Sequence, residues 1–237
     1  MRRRRFITLI AEAPIAGSAG HLTSSVTTAT AAGRQEQATA NSTPIPVIDA
    51  RSAALLVMDY QLAWIQTLTN TDTLLSRAAE AIAIARAHGM QVAFCRVAFA
   101  PADYEAVPEG NVIFTQLTSK TGALDIDAPE MAIDSRVAPE PDDKVVIKTR
   151  VGAFRRNDLD EWLRARAIDT LFLAGISTSG VVLSTVCDAA DRDYRLIVLA
   201  DACADTDPEI QNVLMTKVFP QRAQVVTVAD LPELFTN

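Results

Sequence analysis

Hydrophobic and polar positions along the chain follow two regimes that change near Pro46. Beyond that point, short unbroken apolar runs alternate with longer stretches whose apolar residues recur every three or four positions. Ala53–Met58 (AALLVM) is such a run, closed by Asp59. Lacking polar alternation, it predicts a strand buried on both faces, with a carboxylate at its carboxyl end. Leu74–His88 (LLSRAAEAIAIARAH) carries the helical period and stops at Gly89, which suits a helix C-terminus. Further strands are predicted over Gln91–Val97, Lys144–Lys148 (KVVIK), Thr170–Gly175 (TLFLAG), Tyr194–Ala200 and Val225–Val228. Helices are predicted over Leu159–Ala167, from Thr178 and Ser179 to about Arg192, and over Pro208–Phe219. Between Phe99 and Pro141, five prolines (Pro101, Pro108, Pro129, Pro139 and Pro141) break the pattern and predict a long excursion with little regular structure. The rhythm as a whole predicts a three-layer α/β/α fold, an open and mainly parallel sheet with helices on both faces. Ligands of such sheets sit at the carboxyl ends of the strands.

Residues 1–46 read differently: four arginines at positions 2–5, a short apolar stretch from Phe6 to Ile15, then an Ala/Thr/Ser-rich run without periodicity. This segment is expected to be a disordered leader or tail, with residues 47–237 as one domain. Arg3-Arg4-Arg5-Phe6-Ile7 resembles a bacterial twin-arginine export signal, but Glu12 interrupts the apolar part and no clean cleavage site follows. The expected location is cytoplasmic, with export as the alternative.

Composition narrows the function. Of 237 residues, 49% are hydrophobic and 22% charged, enough apolar surface for a sizeable core. The net charge is −7; the first 44 residues hold five Arg and two Glu, which leaves 17 cations against 27 anions, or −10, for the rest. So acidic a body offers no footprint for nucleic acid, and no apolar run is long enough to span a bilayer. Cys95, Cys187 and Cys203 are an odd and unpatterned set, and two histidines, His21 and His88, are too few for an imidazole-rich metal site. Neither cofactor nor metal is expected. The partner expected is a small-molecule substrate, and the apolar patch Val112-Ile113-Phe114 points to self-association as a homo-oligomer.

Three predicted strand ends carry unusual groups: Asp59, Lys148 and the sequence Gly175-Ile-Ser-Thr-Ser-Gly180. A carboxylate beside an ammonium in a partly dry cleft is poised to exchange protons with a substrate. The helix opening near Thr178 would aim backbone N–H groups at the same point. Spacing alone equally allows a structural ion pair and an ordinary N-cap.

At these residues the chain resembles the isochorismatase-like hydrolase superfamily, which includes isochorismatases, nicotinamidases and carbamoylsarcosine amidases. The resemblance spans about Ala53–Asp230 and rests on LLVMDYQ (Leu55–Gln61), VVIKTRVGAF (Val145–Phe154) and AGISTSGVVLSTVCDAADRDYRLIVLADACAD (Ala174–Asp205), in the family's order and spacing. It implies a six-stranded parallel sheet and an active site of an Asp, a Lys and usually a Cys, with Asp59 and Lys148 matching the first two. It also implies a cis peptide between Ile176 and Ser177, and an oxyanion site made by the backbone N–H groups of Ser177 and Val181. Counting six residues from Gly175, as the family's nucleophilic cysteine requires, reaches Val181. Cys187, six residues further along the predicted helix, would be rotated by about 240° and displaced by about 9 Å, so it reads as a packed thiol.

Without that thiol the resemblance favours the isochorismatase type of chemistry, in which an acid protonates a vinyl ether and water attacks the resulting oxocarbenium. Asp59 and Lys148 are then the catalytic pair, with Gln61, Trp64, Arg150, Phe154 and Thr178 as substrate-binding candidates. Arg150 would pair with a substrate carboxylate, and Trp64 and Phe154 would give aromatic walls, although a solvated arginine and ordinary core aromatics fit the sequence as well. The alternatives are amide hydrolysis of the nicotinamidase or carbamoylsarcosine amidase type, and a catalytically silent ligand-binding member.

Overall fold

A computed structural model describes residues 47–119 and 122–235 of the chain. The expectations about a leader, its export and a domain boundary fall on residues 1–46 and lie outside the described residues. Six strands form one sheet: β1 (Ala53–Met58), β2 (Gln91–Val97), β3 (Lys144–Lys148), β4 (Thr170–Ile176), β5 (Arg195–Ala204) and β6 (Gln224–Val226), in the spatial order β3-β2-β1-β4-β5-β6. Every neighbouring pair is parallel. All six residues of β1 and all seven of β4 are buried, as their unbroken apolar runs require for central strands covered on both faces.

Helices supply the two outer layers. The longest, α2 (Thr71–Ala87), follows the short α1 (Leu62–Ile65), buries Leu74, Leu75, Ala78, Ala81, Ile82 and Ala85, and packs on β5, β2 and β1. The opposite face of the sheet, which shows Ala54, Leu56, Met58, Leu171 and Leu173, is covered by residues of α5 (Leu159–Arg164) and α6 (Leu183–Ala190), and by Leu214 and Phe219 beyond α7 (Pro208–Val213). Asp207 caps α7 by accepting from the N–H groups of Glu209 and Ile210, and Pro208 occupies its first turn, where no N–H is needed.

Three regions depart from the pattern-based expectation. The excursion after β2 contains two short helices, α3 (Pro101–Glu105) and α4 (Val112–Leu117), because Phe99, Phe114, Leu124 and Met131 bury one another in a small second core beside Val97. Within the apolar patch named above, Phe114 points into that core, whereas Val112 and Ile113 are 67% and 52% exposed. The segment expected to be one helix from Thr178 opens as a wide π-helical turn, Thr178–Val182, before α6 begins. β5 continues to Ala204 across an irregularity in its pairing with β4, so Cys203 lies inside a strand rather than after one.

Candidate active site

Strand register brings the predicted residues together. Met58 pairs with Cys95 and Gly175 on its two sides, and Val97 pairs with Lys148, so the carboxyl ends of β1, β3 and β4 meet at one edge of the sheet. Asp59 follows β1 in a left-handed conformation (φ 59°), and its N–H donates to Cys95 O at 2.8 Å. This turn aims its side chain across the end of β2 toward Lys148. Gly175 makes the close approach possible: a Cβ there would lie 3.0 Å from Met58 O and 3.1 Å from both Met58 Cβ and Val182 Cγ2.

Lys148 Nζ donates to Asp59 Oδ2 at 2.7 Å, to Val151 O at 2.8 Å and to Arg150 O at 3.3 Å, which uses all three ammonium protons. The two residues are 1% and 5% exposed. Burial pushes the Asp59 carboxyl up to about 6, against the opposing pull of the Lys148 charge and its hydrogen bond. The other carboxylate oxygen, Asp59 Oδ1, is buried without a hydrogen-bond partner, and so is Thr178 Oγ1. An acid that ionises near neutrality, with one oxygen fixed and the other unengaged, can give a proton to a bound molecule or take one from it.

The turn after β4 carries the next group. The peptide between Ile176 and Ser177 is cis. Ser177 Oγ accepts from Gly180 N–H at 3.2 Å, Ser177 O accepts from Val182 N–H at 3.3 Å, and Asp205 Oδ2 holds Ser179 N–H at 2.7 Å. A Cβ at position 180 would sit 2.7 Å from Ser177 Oγ, so a larger residue there would displace that hydroxyl from its bond to the position 180 N–H. Val181 is 2% exposed and belongs to the main core.

Of the remaining candidates, Trp64 is partly buried and packs on the second core, and Arg150 stacks over the Phe114 ring at 5.3 Å while donating to Thr149 O and Ala106 O. Two expected substrate-binding roles need correction. The Gln61 side chain is fully occupied by backbone: its amide donates to Val97 O and Met131 O and accepts from Val97 N–H, each at 2.8 Å, so it fastens the start of α1 to the end of β2 and to the excursion. Phe154 faces the main core, stacked on Tyr194 at 6.0 Å and capped by the Arg192 guanidinium at 4.9 Å, because Ala153 N–H is tied to Thr185 Oγ1 of α6. The backbone carbonyls of Arg150 and Val151, which orient Lys148, were not foreseen; a carbonyl leaves no trace in side-chain pattern. Asp205 had a weak signal in its place just beyond a strand. Burial raises the thiols of Cys95 and Cys203 to about 12, so neither is an available nucleophile. Among the described residues no three His, Cys, Asp or Glu side chains converge as metal ligands would.

Comparison with known proteins agrees with this fold. The isochorismatase domain model matches residues 53–230. Ureidoacrylate amidohydrolase RutB of Methylobacterium radiotolerans is 33% identical over 187 residues, covering 70% of this chain and 72% of that protein. An isochorismatase family protein from Burkholderia thailandensis superposes with a TM-score of 0.67 at 28% identity, covering 78% of this chain and 96% of that one. N-carbamoylsarcosine amidase from Thermoplasma acidophilum gives a TM-score of 0.62 at 25% identity, over 75% of this chain and 96% of that one. With this family match over most of its length, the chain belongs to the isochorismatase family of hydrolases.

Proposed function

We propose that the protein hydrolyses a small carboxylate-bearing molecule by acid–base chemistry at Asp59, oriented by Lys148, without a thiol nucleophile. The observation that carries this reading is the Asp59 carboxyl, raised to about 6 by burial, with Oδ1 unengaged and Oδ2 held by Lys148. Val181 occupies the place where the resembled amidases carry cysteine, and a valine side chain forms no acyl intermediate. In the vinyl-ether form of the reaction, protonated Asp59 gives its proton to the terminal carbon of an enol ether. Water adds to the oxocarbenium carbon as the Asp59 carboxylate takes a proton from it, and the hemiketal collapses to a ketone and an alcohol. Lys148 steadies the carboxylate left behind, Arg150 grips the substrate carboxylate, Trp64 flanks it and the Thr178 hydroxyl faces it. The N–H groups of Ser177 and Val181 serve the developing oxyanion.

A second reading, amide C–N hydrolysis, is favoured by the relatives named as a ureidoacrylate amidohydrolase and a carbamoylsarcosine amidase. There ionised Asp59 takes a proton from water as it attacks the carbonyl carbon, and returns that proton to the nitrogen as the C–N bond of the tetrahedral adduct breaks. Incubation with isochorismate, and separately with ureido acids and small amides, distinguishes the two. Pyruvate release lost in Asp59→Ala supports the first, and ammonia release without pyruvate supports the second. Turnover that survives in Asp59→Ala contradicts both.

A further inference from the structure

A cleft of about 530 Å³ lies between α4 and α6, on the outer side of the segment that holds Lys148. Its volume is in the range of small-molecule sites. Its floor includes Val151 and Gly152, and Val151 O is the carbonyl 2.8 Å from Lys148 Nζ. The Val151 side chain packs against the second core, so this residue belongs both to the wall of the cleft and to the groups that hold Lys148.

The charges facing the cleft are Arg150, Arg155, Asp188 and Asp191. Asp188 is neutralised from two sides, by Arg155 at 3.3 Å and by Arg192 at 2.8 Å, and Asp191 is exposed. Arg150 differs from the other guanidinium groups here. It is partly buried, its partners are backbone carbonyls and the Phe114 ring, and no described carboxylate lies within ion-pairing distance of it. Burial and repulsion from Arg156 press against its charge, the more distant Asp103 carboxylate offsets them only in part, and a bound anion would relieve both. A planar guanidinium with free N–H groups beside an aromatic ring matches a carboxylate carried on a small apolar body.

We propose that this cleft is the carboxylate-anchoring subsite of the enzyme, gripped by Arg150. The inference rests on the hydrolase reading above for the identity of the occupant as substrate. The anchoring itself is testable without turnover, because Cys187 lines the same cleft and is the exposed thiol, whereas Cys95 and Cys203 are buried.

The test compares alkylation of Cys187 by iodoacetate, which carries a carboxylate, with alkylation by the neutral iodoacetamide. In both, the Cys187 sulfur bonds to the CH₂ carbon, the C–I bond breaks and iodide leaves. The ratio of the iodoacetate rate to the iodoacetamide rate should fall roughly tenfold in Arg150→Gln, the scale of one charge-assisted hydrogen bond, and recover in Arg150→Lys. If Arg150→Gln does not fold, the native protein supplies the answer. Its iodoacetate rate should drop from low to high ionic strength and on adding benzoate, while the iodoacetamide rate stays level in salt. An equal ratio in native and Arg150→Gln protein, or an iodoacetate rate insensitive to both salt and benzoate, overturns the proposal. Either result leaves the hydrolase reading to stand or fall on the product assay.

Discussion

A carboxyl group sealed from water holds its proton to a higher pH, and a cation beside it works the other way. Both act on Asp59, and burial prevails: the group ionises near 6 although Lys148 is 2.7 Å away. Removing the Lys148 charge while keeping its bulk therefore has a defined sign. In Lys148→Met the Asp59 ionisation should move above the native value, read as the pH midpoint of its carboxyl carbon signal in ¹³C NMR; a midpoint at or below the native one would contradict the balance described here. Asp59 and Lys148 were legible because each ends an apolar strand, where a charge has no ordinary packing role. Phe154 and Gln61 misled for the opposite reason. An aromatic ring or an amide next to a catalytic motif carries no local sign of which way it points, and here the main core takes the ring and the backbone takes the amide.

At the scale of elements, Gln61 joins three segments that pattern alone leaves independent: the start of α1, the end of β2 and Met131 of the excursion. The side chain is 0% exposed. Gln61→Leu fills similar space but leaves the carbonyl and N–H of Val97 without partners and Met131 O with only the Arg96 guanidinium at 3.3 Å, so it should destabilise the fold by about 2–4 kcal/mol. The urea midpoint should fall at little changed slope, whereas an unshifted midpoint would show that the clamp is dispensable. Strands were legible almost to the residue where apolar runs are continuous, as in Ala53–Met58, Gln91–Val97 and Lys144–Lys148. Helix ends were not. Leu159–Arg164 and Leu183–Ala190 are shorter than their periodicity suggests, because the π-helical turn and the polar ends give no change of pattern. The excursion was the least legible part, since its order comes from Phe99, Phe114, Leu124 and Met131 meeting across gaps in sequence rather than from any local period.

For the molecule as a whole, six parallel strands in the order β3-β2-β1-β4-β5-β6 concentrate the chemistry at one edge of the sheet, and the fold contributes by what it withholds from water. That arrangement carries a cost at neutral pH. The folded protein binds a proton on Asp59 up to about 6, whereas an unfolded chain releases it near the ordinary value of 3.8. Between those values the folded state holds more protons, so stability falls as pH rises. Carboxyls pulled down by partners, such as Asp134 beside Arg136 and Asp158 beside Lys144, act in the reverse sense and lose their contribution on acidification. Asp59→Asn removes the first contribution and leaves the others in place. Urea unfolding of the native protein and of Asp59→Asn from pH 4.5 to 7.5 isolates it. The native protein should lose stability relative to the variant as pH rises toward 6, by at most about 1.4 kcal/mol per pH unit, and the difference should then level off. A difference that is flat across this range, or a native protein that gains on the variant as pH rises, would contradict the account of Asp59 as a buried acid poised near neutrality.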